Sequence, residues 1–116
     1  MTEVYRYEVP IDDQWHTLDL TGPVLHVGQR EAELHQAARL AVWALHIDQQ
    51  PAGLKVEPKP RTFRVFGTGQ PLTTQDNAAY TVEHVATVIG ADGYLVWHLF
   101  EQIEHARAVA KAFIGL

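Results

Sequence analysis

Hydrophobic and polar positions alternate with a period of two along much of this chain, the spacing of a strand with one face buried. Residues 4–9 set Tyr5, Tyr7 and Val9 against Arg6 and Glu8, and Pro10 ends the run. Residues 15–20 set His16, Leu18 and Leu20 against Trp15, Thr17 and Asp19, and the turn Thr21-Gly22-Pro23 leads to a short strand over 24–27. Tight connections between these three predict a meander. Residues 62–67 and 94–100 depart from simple alternation, because both of their faces are apolar. Residues 40–47 carry Ala41, Trp43, Leu45 and Ile47 opposite Leu40, Val42, Ala44 and His46, which predicts a strand after a short helix or turn over 31–38. A hairpin through Gly90-Ala91-Asp92-Gly93 is predicted to join 79–88 to 94–100.

The last segment changes period. Ile103, Ala106, Val109, Ala110 and Phe113 recur at helical spacing, with Glu104, Arg107 and Lys111 on the polar side, which predicts an amphipathic helix over 102–114. The sequence therefore predicts one mainly β (α+β) domain over 1–116: an antiparallel sheet or small β-sandwich of about seven short strands with a C-terminal amphipathic helix. Residues 48–60, with three prolines, and 68–78 read as exposed connections. If Phe63, Val65, Trp97 and Leu99 face the core, Val42, Phe66, Val96 and Phe100 form a second apolar face. That face needs cover from the helix or from a second copy, so a homo-oligomer is expected.

Composition narrows the chemistry. A chain of 116 residues, 47% apolar, buries enough surface to fold without staples, and it has no cysteine for a disulfide or thiolate zinc site. Its formal charge of -5, with no basic run, argues against non-specific nucleic-acid binding. The start MTEVYRYEVP lacks the basic and apolar regions of a secretion signal, and no apolar run approaches the ~20 residues that span a bilayer, so a cytoplasmic setting is expected.

Four blocks in one order, RYEVP…DDQWHTLDLTGPVLHV, VWALH, RTFRVFGTGQPL and LVWHLFE, resemble a family of small proteins of uncharacterised activity encoded mainly by bacteriophages, especially those of actinobacteria. The resemblance covers most of residues 5–101 and implies a strand at VWALH. Three departures stand out: a longer 28–39 segment, an extension past LFE, and Ala86 where that family commonly has glycine.

Candidate chemistry is sparse. None of the seven histidines has metal-ligand spacing, so no metal and no cofactor is expected. Gly67-Thr68-Gly69 reads either as a strand-ending turn or as a nest of backbone N–H groups receiving a phosphate or carboxylate, with Arg64 close by and His46 and His98 on the same second face. Serine is absent, and Thr68 has no base identifiable from the sequence. The expected function is a non-enzymatic phage accessory protein in the host cytoplasm, binding a host protein or sequestering a small anionic ligand. The alternatives are a virion component and, last, a nucleotide-processing enzyme using His98 or Asp12.

Overall fold

The computed structural model describes residues 2–30, 38–49, 53–75, 80–90 and 93–104. Seven strands lie among them: β1 (Thr2–Pro10), β2 (His16–Leu20), β3 (Val24–Arg30), β4 (Arg39–Ile47), β5 (Lys59–Gly67), β6 (Tyr80–Ile89) and β7 (Val96–Glu104). They form a three-stranded sheet in the order β1-β4-β3 and a four-stranded sheet in the order β2-β5-β7-β6, with every pairing antiparallel. The two sheets share one core, so the fold is a small sandwich.

The strands with apolar residues on both faces are those at the centres of the sheets. Strand β4 buries Leu40, Val42 and Ala44 against Phe63 and Val65 of β5 and Leu99 of β7, all almost fully shielded from water. A central strand has protein on its flanks and often on both faces, which favours unbroken apolar runs. An edge strand keeps one side wet and alternates. Thus β1 exposes Val4 and Arg6 and buries Val9.

The meander expected of β1, β2 and β3 does not form. Strands β1 and β3 flank β4 in one sheet while β2 pairs with β5 in the other, because antiparallel pairing to a central apolar strand buries more surface than three edge-type strands could bury together. The β6–β7 hairpin forms as expected; Gly93 takes a φ of 76°, and Gly90 N–H donates to the Leu95 carbonyl at 2.7 Å. Strand β7 runs through Gln102, Ile103 and Glu104, where a helix was expected to begin. There Ile103 pairs with Thr81 and is buried, so the ladder already satisfies this backbone. The rest of the expected helix, and the helix or turn over 31–37, lie outside the described residues. Among the described residues no helix is long and apolar enough to cross a membrane.

The β2–β3 turn is stitched to β4. Leu45 N–H donates to the Pro23 carbonyl at 3.0 Å and Ile47 N–H to Thr21 Oγ1 at 2.8 Å. This close approach is possible because position 22 has no side chain: a Cβ there would stand 2.5 Å from the Leu45 carbonyl oxygen. Gly22→Ala is therefore expected to lower the unfolding free energy by about 1–3 kcal/mol, read from the urea midpoint, since relief requires the turn to leave β4.

Candidate functional site

The outer face of the four-stranded sheet is built in cross-strand rows. Arg64 of β5, Phe100 of β7 and His84 of β6 stand side by side, and Phe66, His98 and Thr87 form the next row. Phe66 is 1% exposed although it faces away from the core. The Arg64 guanidinium lies 4.5 Å above its ring, Trp15 meets it edge-on with centroids 6.0 Å apart, and Phe100 packs against it at 5.7 Å. Much of the apolar surface expected to need a second subunit is thus covered by the chain's own side chains.

A bulge places the polar half of this face. The β6–β7 register shifts between His84 and Ala86, so Val85 is an extra residue. Without it His84 and Thr87, an odd number of positions apart, would point to opposite faces. With it both face outward, and four side chains form a hydrogen-bonded string: Thr68 Oγ1 lies 3.0 Å from His98 Nε2, His98 Nδ1 lies 2.9 Å from Thr87 Oγ1, and Thr87 Oγ1 lies 2.9 Å from His84 Nε2.

The turn that carries Thr68 is closed by a bond from Gln70 N–H to the Gly67 carbonyl at 3.1 Å, and Gly69 sits at φ 86°, a conformation that favours glycine. The Gln70 side chain locks it. Its Oε1 accepts the Gly67 N–H at 3.0 Å, and its Nε2 donates to Asp13 Oδ1 at 3.0 Å. Asp13 in turn lies 3.9 Å from Arg64 Nη2, while Arg64 Nη1 is 3.4 Å from Thr73 Oγ1. The Gly67 amide is therefore engaged, and an anion at this turn would rely on Arg64 and on the Thr68 hydroxyl, itself held by His98, rather than on a full backbone nest. The buried Arg64 Nε–H has no hydrogen-bond partner among the described residues, which leaves one donor without an acceptor.

Arg64, Gly67, Thr68, Gly69, His98, Phe66 and Phe100 are brought to one region, and Val96 stands at the hairpin end of β7 opposite Ile89. Two expected members are elsewhere. His46 belongs to the other sheet, where its ring stacks on Tyr5 with centroids 4.1 Å apart and its Nδ1 lies 3.4 Å from Thr21 Oγ1. Val42, on the same strand, is fully buried in the core and offers no interface. Both follow from β4 joining the three-stranded sheet. Thr87, His84 and Gln70 were not singled out by sequence, because the bulge and the turn's return hydrogen bond have no composition signal here. Among the described residues no three His, Asp or Glu side chains cluster closely enough to hold a metal ion.

His98 also supplies Thr68 with the base that sequence reading could not find. A nucleophile–base pair of this kind needs a third group to support the imidazolium, and here that group is the neutral Thr87 hydroxyl rather than a carboxylate. The cluster is better suited to donating hydrogen bonds than to nucleophilic attack.

A separate cleft of about 580 Å³ opens beside the end of β5, lined in part by Leu20, Val56, Lys59 and Ile103. At it Arg61 grips Glu101 through two bonds of 2.7 Å, from Nε and Nη2. Those bonds to Glu101 raise the Arg61 pKa above its ordinary value against the opposing effect of burial.

At the β1–β2 turn, Asp12 Oδ1 and Oδ2 lie 2.8 and 3.0 Å from His16 Nε2, and Gln14 N–H donates to Oδ1 at 3.0 Å. Slight burial opposes ionisation of Asp12, but the His16 and Gln14 hydrogen bonds outweigh it and hold the pKa below the usual carboxylate value. A depressed folded-state pKa stabilises above the unfolded value of about 3.9 and ceases to do so as pH falls through the folded value. His16→Ala is expected to move the Asp12 midpoint upward in an NMR pH titration, and an unmoved midpoint would remove His16 as the cause.

No curated protein and no solved structure matches the chain. A family model described as a domain of unknown function (DUF7352) matches residues 1–109, nearly the whole chain, and this protein belongs to that family.

Proposed function

We propose that this protein is a non-enzymatic binding module that takes a small anionic ligand on the outer face of its four-stranded sheet, with Arg64 and Thr68 as the contacting groups and His98 holding the Thr68 hydroxyl. The observation that carries the reading is that Arg64 of β5 and Thr68 of the following turn share one face with His98 of β7, whose two ring nitrogens meet the hydroxyls of Thr68 and Thr87 and so can orient the Thr68 hydroxyl. Among the described residues no carboxylate is hydrogen-bonded to the Thr68–His98–Thr87–His84 string. On a chain of net charge -5 such a local donor cluster favours a compact anion over a polyanion, which the rest of the surface repels. The block resemblance to phage-encoded proteins extends this to an accessory role in a host cytoplasm, sequestering a small anion as counter-defence factors do. In a thermal-shift panel of sulfate, phosphate and nucleotides, at least one anion at a hundredfold excess over its Kd is expected to raise the Tm by about 5 °C or more. Arg64→Ala is expected to remove the rise, and a melting curve unmoved by the whole panel overturns the reading.

A second reading, a particle component, is favoured by one feature. The β6–β7 hairpin end exposes Ile89, Tyr94 and Leu95 together, with Tyr94 88% exposed. Large apolar side chains grouped at a tip suit contact with a neighbouring subunit, and this surface replaces the Val42-containing face as the motive for self-association. Mass spectrometry of purified phage particles is expected to detect the protein in this case, and its absence from them ends the idea.

A further inference from the structure

The string on the outer face carries more than a binding surface. Thr87 Oγ1 lies 2.9 Å from a ring nitrogen of each of two histidines, yet a hydroxyl has one proton and can donate to only one of them. The contacts are therefore ordered by where each proton sits. In one arrangement His84 Nε2–H donates to Thr87, Thr87 O–H donates to His98 Nδ1, and His98 Nε2–H donates to Thr68 Oγ1. The Thr68 hydroxyl proton is then left to point outward. In the reverse arrangement Thr68 spends its proton on His98 and presents only lone pairs outward, which repel an anion.

From this the geometry points to proton-coupled anion binding: an anion at Thr68 selects the first arrangement and draws one proton from solvent onto the string, entering at the exposed His84. This deepens the anion-binding reading of the same face and rests on it. In the selected arrangement His84 donates through Nε2, so a proton arriving at its Nδ1 forms an imidazolium without breaking any bond of the string. A second proton would set two cations on either side of one hydroxyl, so uptake stops at one. Among the described residues few charges compete with this. Arg64 of β5 and Asp13 of the β1–β2 turn face one another at 3.9 Å, and Glu83, next to His84 in sequence, is paired with Glu101 on the inner face. Phe100 packs edge-on against the His84 ring at 5.4 Å and contributes no titration.

The sign follows directly. The protonated string favours the anion, so binding is tighter at acidic than at alkaline pH. Sulfate is the suitable probe because it stays fully ionised across this range. Calorimetric titration of the full chain with sulfate, at about pH 5.5 and about pH 8, is expected to show about fivefold or more tighter binding at the lower value. Near neutrality the heat is expected to vary with buffer ionisation enthalpy in the sense of proton uptake. His84→Gln, at the end of the string away from Thr68, is expected to flatten the pH profile and remove the buffer dependence. Sulfate bound equally at both pH values, or an undiminished pH slope in His84→Gln, overturns the coupling while leaving the anion site in place. A chain that binds no sulfate at either pH overturns the site and the coupling together.

Discussion

Phe63, Val65 and Leu99, set side by side on the middle strands of the four-stranded sheet and pressed against Leu40, Val42 and Ala44 of the other, are the contact on which the molecule depends. At about 25 cal/mol per Å² of apolar surface removed from water, these side chains supply the main drive to stack the two sheets. The remaining strands are placed to serve that contact. The edges β1, β3, β2 and β6 bring one apolar face each, and the β2–β3 turn closes on β4 only because Gly22 lets the backbones approach.

Keeping that core dry creates a demand at its border. Glu101 lies on the inner face in the same row as Phe63 and Glu83, and it is 7% exposed. A carboxylate so placed needs a partner, and Arg61, two residues before Phe63 on the neighbouring strand, meets it with both arms of its planar fork. Arg39, also buried, is held by Glu8 at 2.7 Å in the other sheet. In these two places charge enters the interior as matched pairs at its margins.

The outer face of the four-stranded sheet obeys a different rule. Its aromatic part is closed over by Arg64, Trp15 and Phe100, while its polar part is left exposed as a string of hydroxyls and imidazoles. The same strands thus bury on one side and present chemistry on the other. The extra residue at Val85 makes the second role possible without disturbing the first, since Ala86 and Val88 still reach the core.

Strand number, strand positions and the hairpin were legible from the residues alone, because alternation and glycine placement are local properties, and the doubly apolar runs at 40–47, 62–67 and 94–100 marked the strands that became central. Arg64 and Thr68 were legible as neighbours because they lie close together in sequence, whereas His98 joins them only through the β5–β7 pairing. Which sheet each strand would join was not legible. Pairing partners are chosen by total burial, a property of the whole chain, and that choice sent His46 and Val42 away from the face they were expected to share with His98 and Phe66. Nor could the residues 84–87 announce that His84 and Thr87 point the same way. A bulge is a mismatch between two strands, so it exists only once they are paired, and with it came the arrangement of protons that links one end of the site to the other.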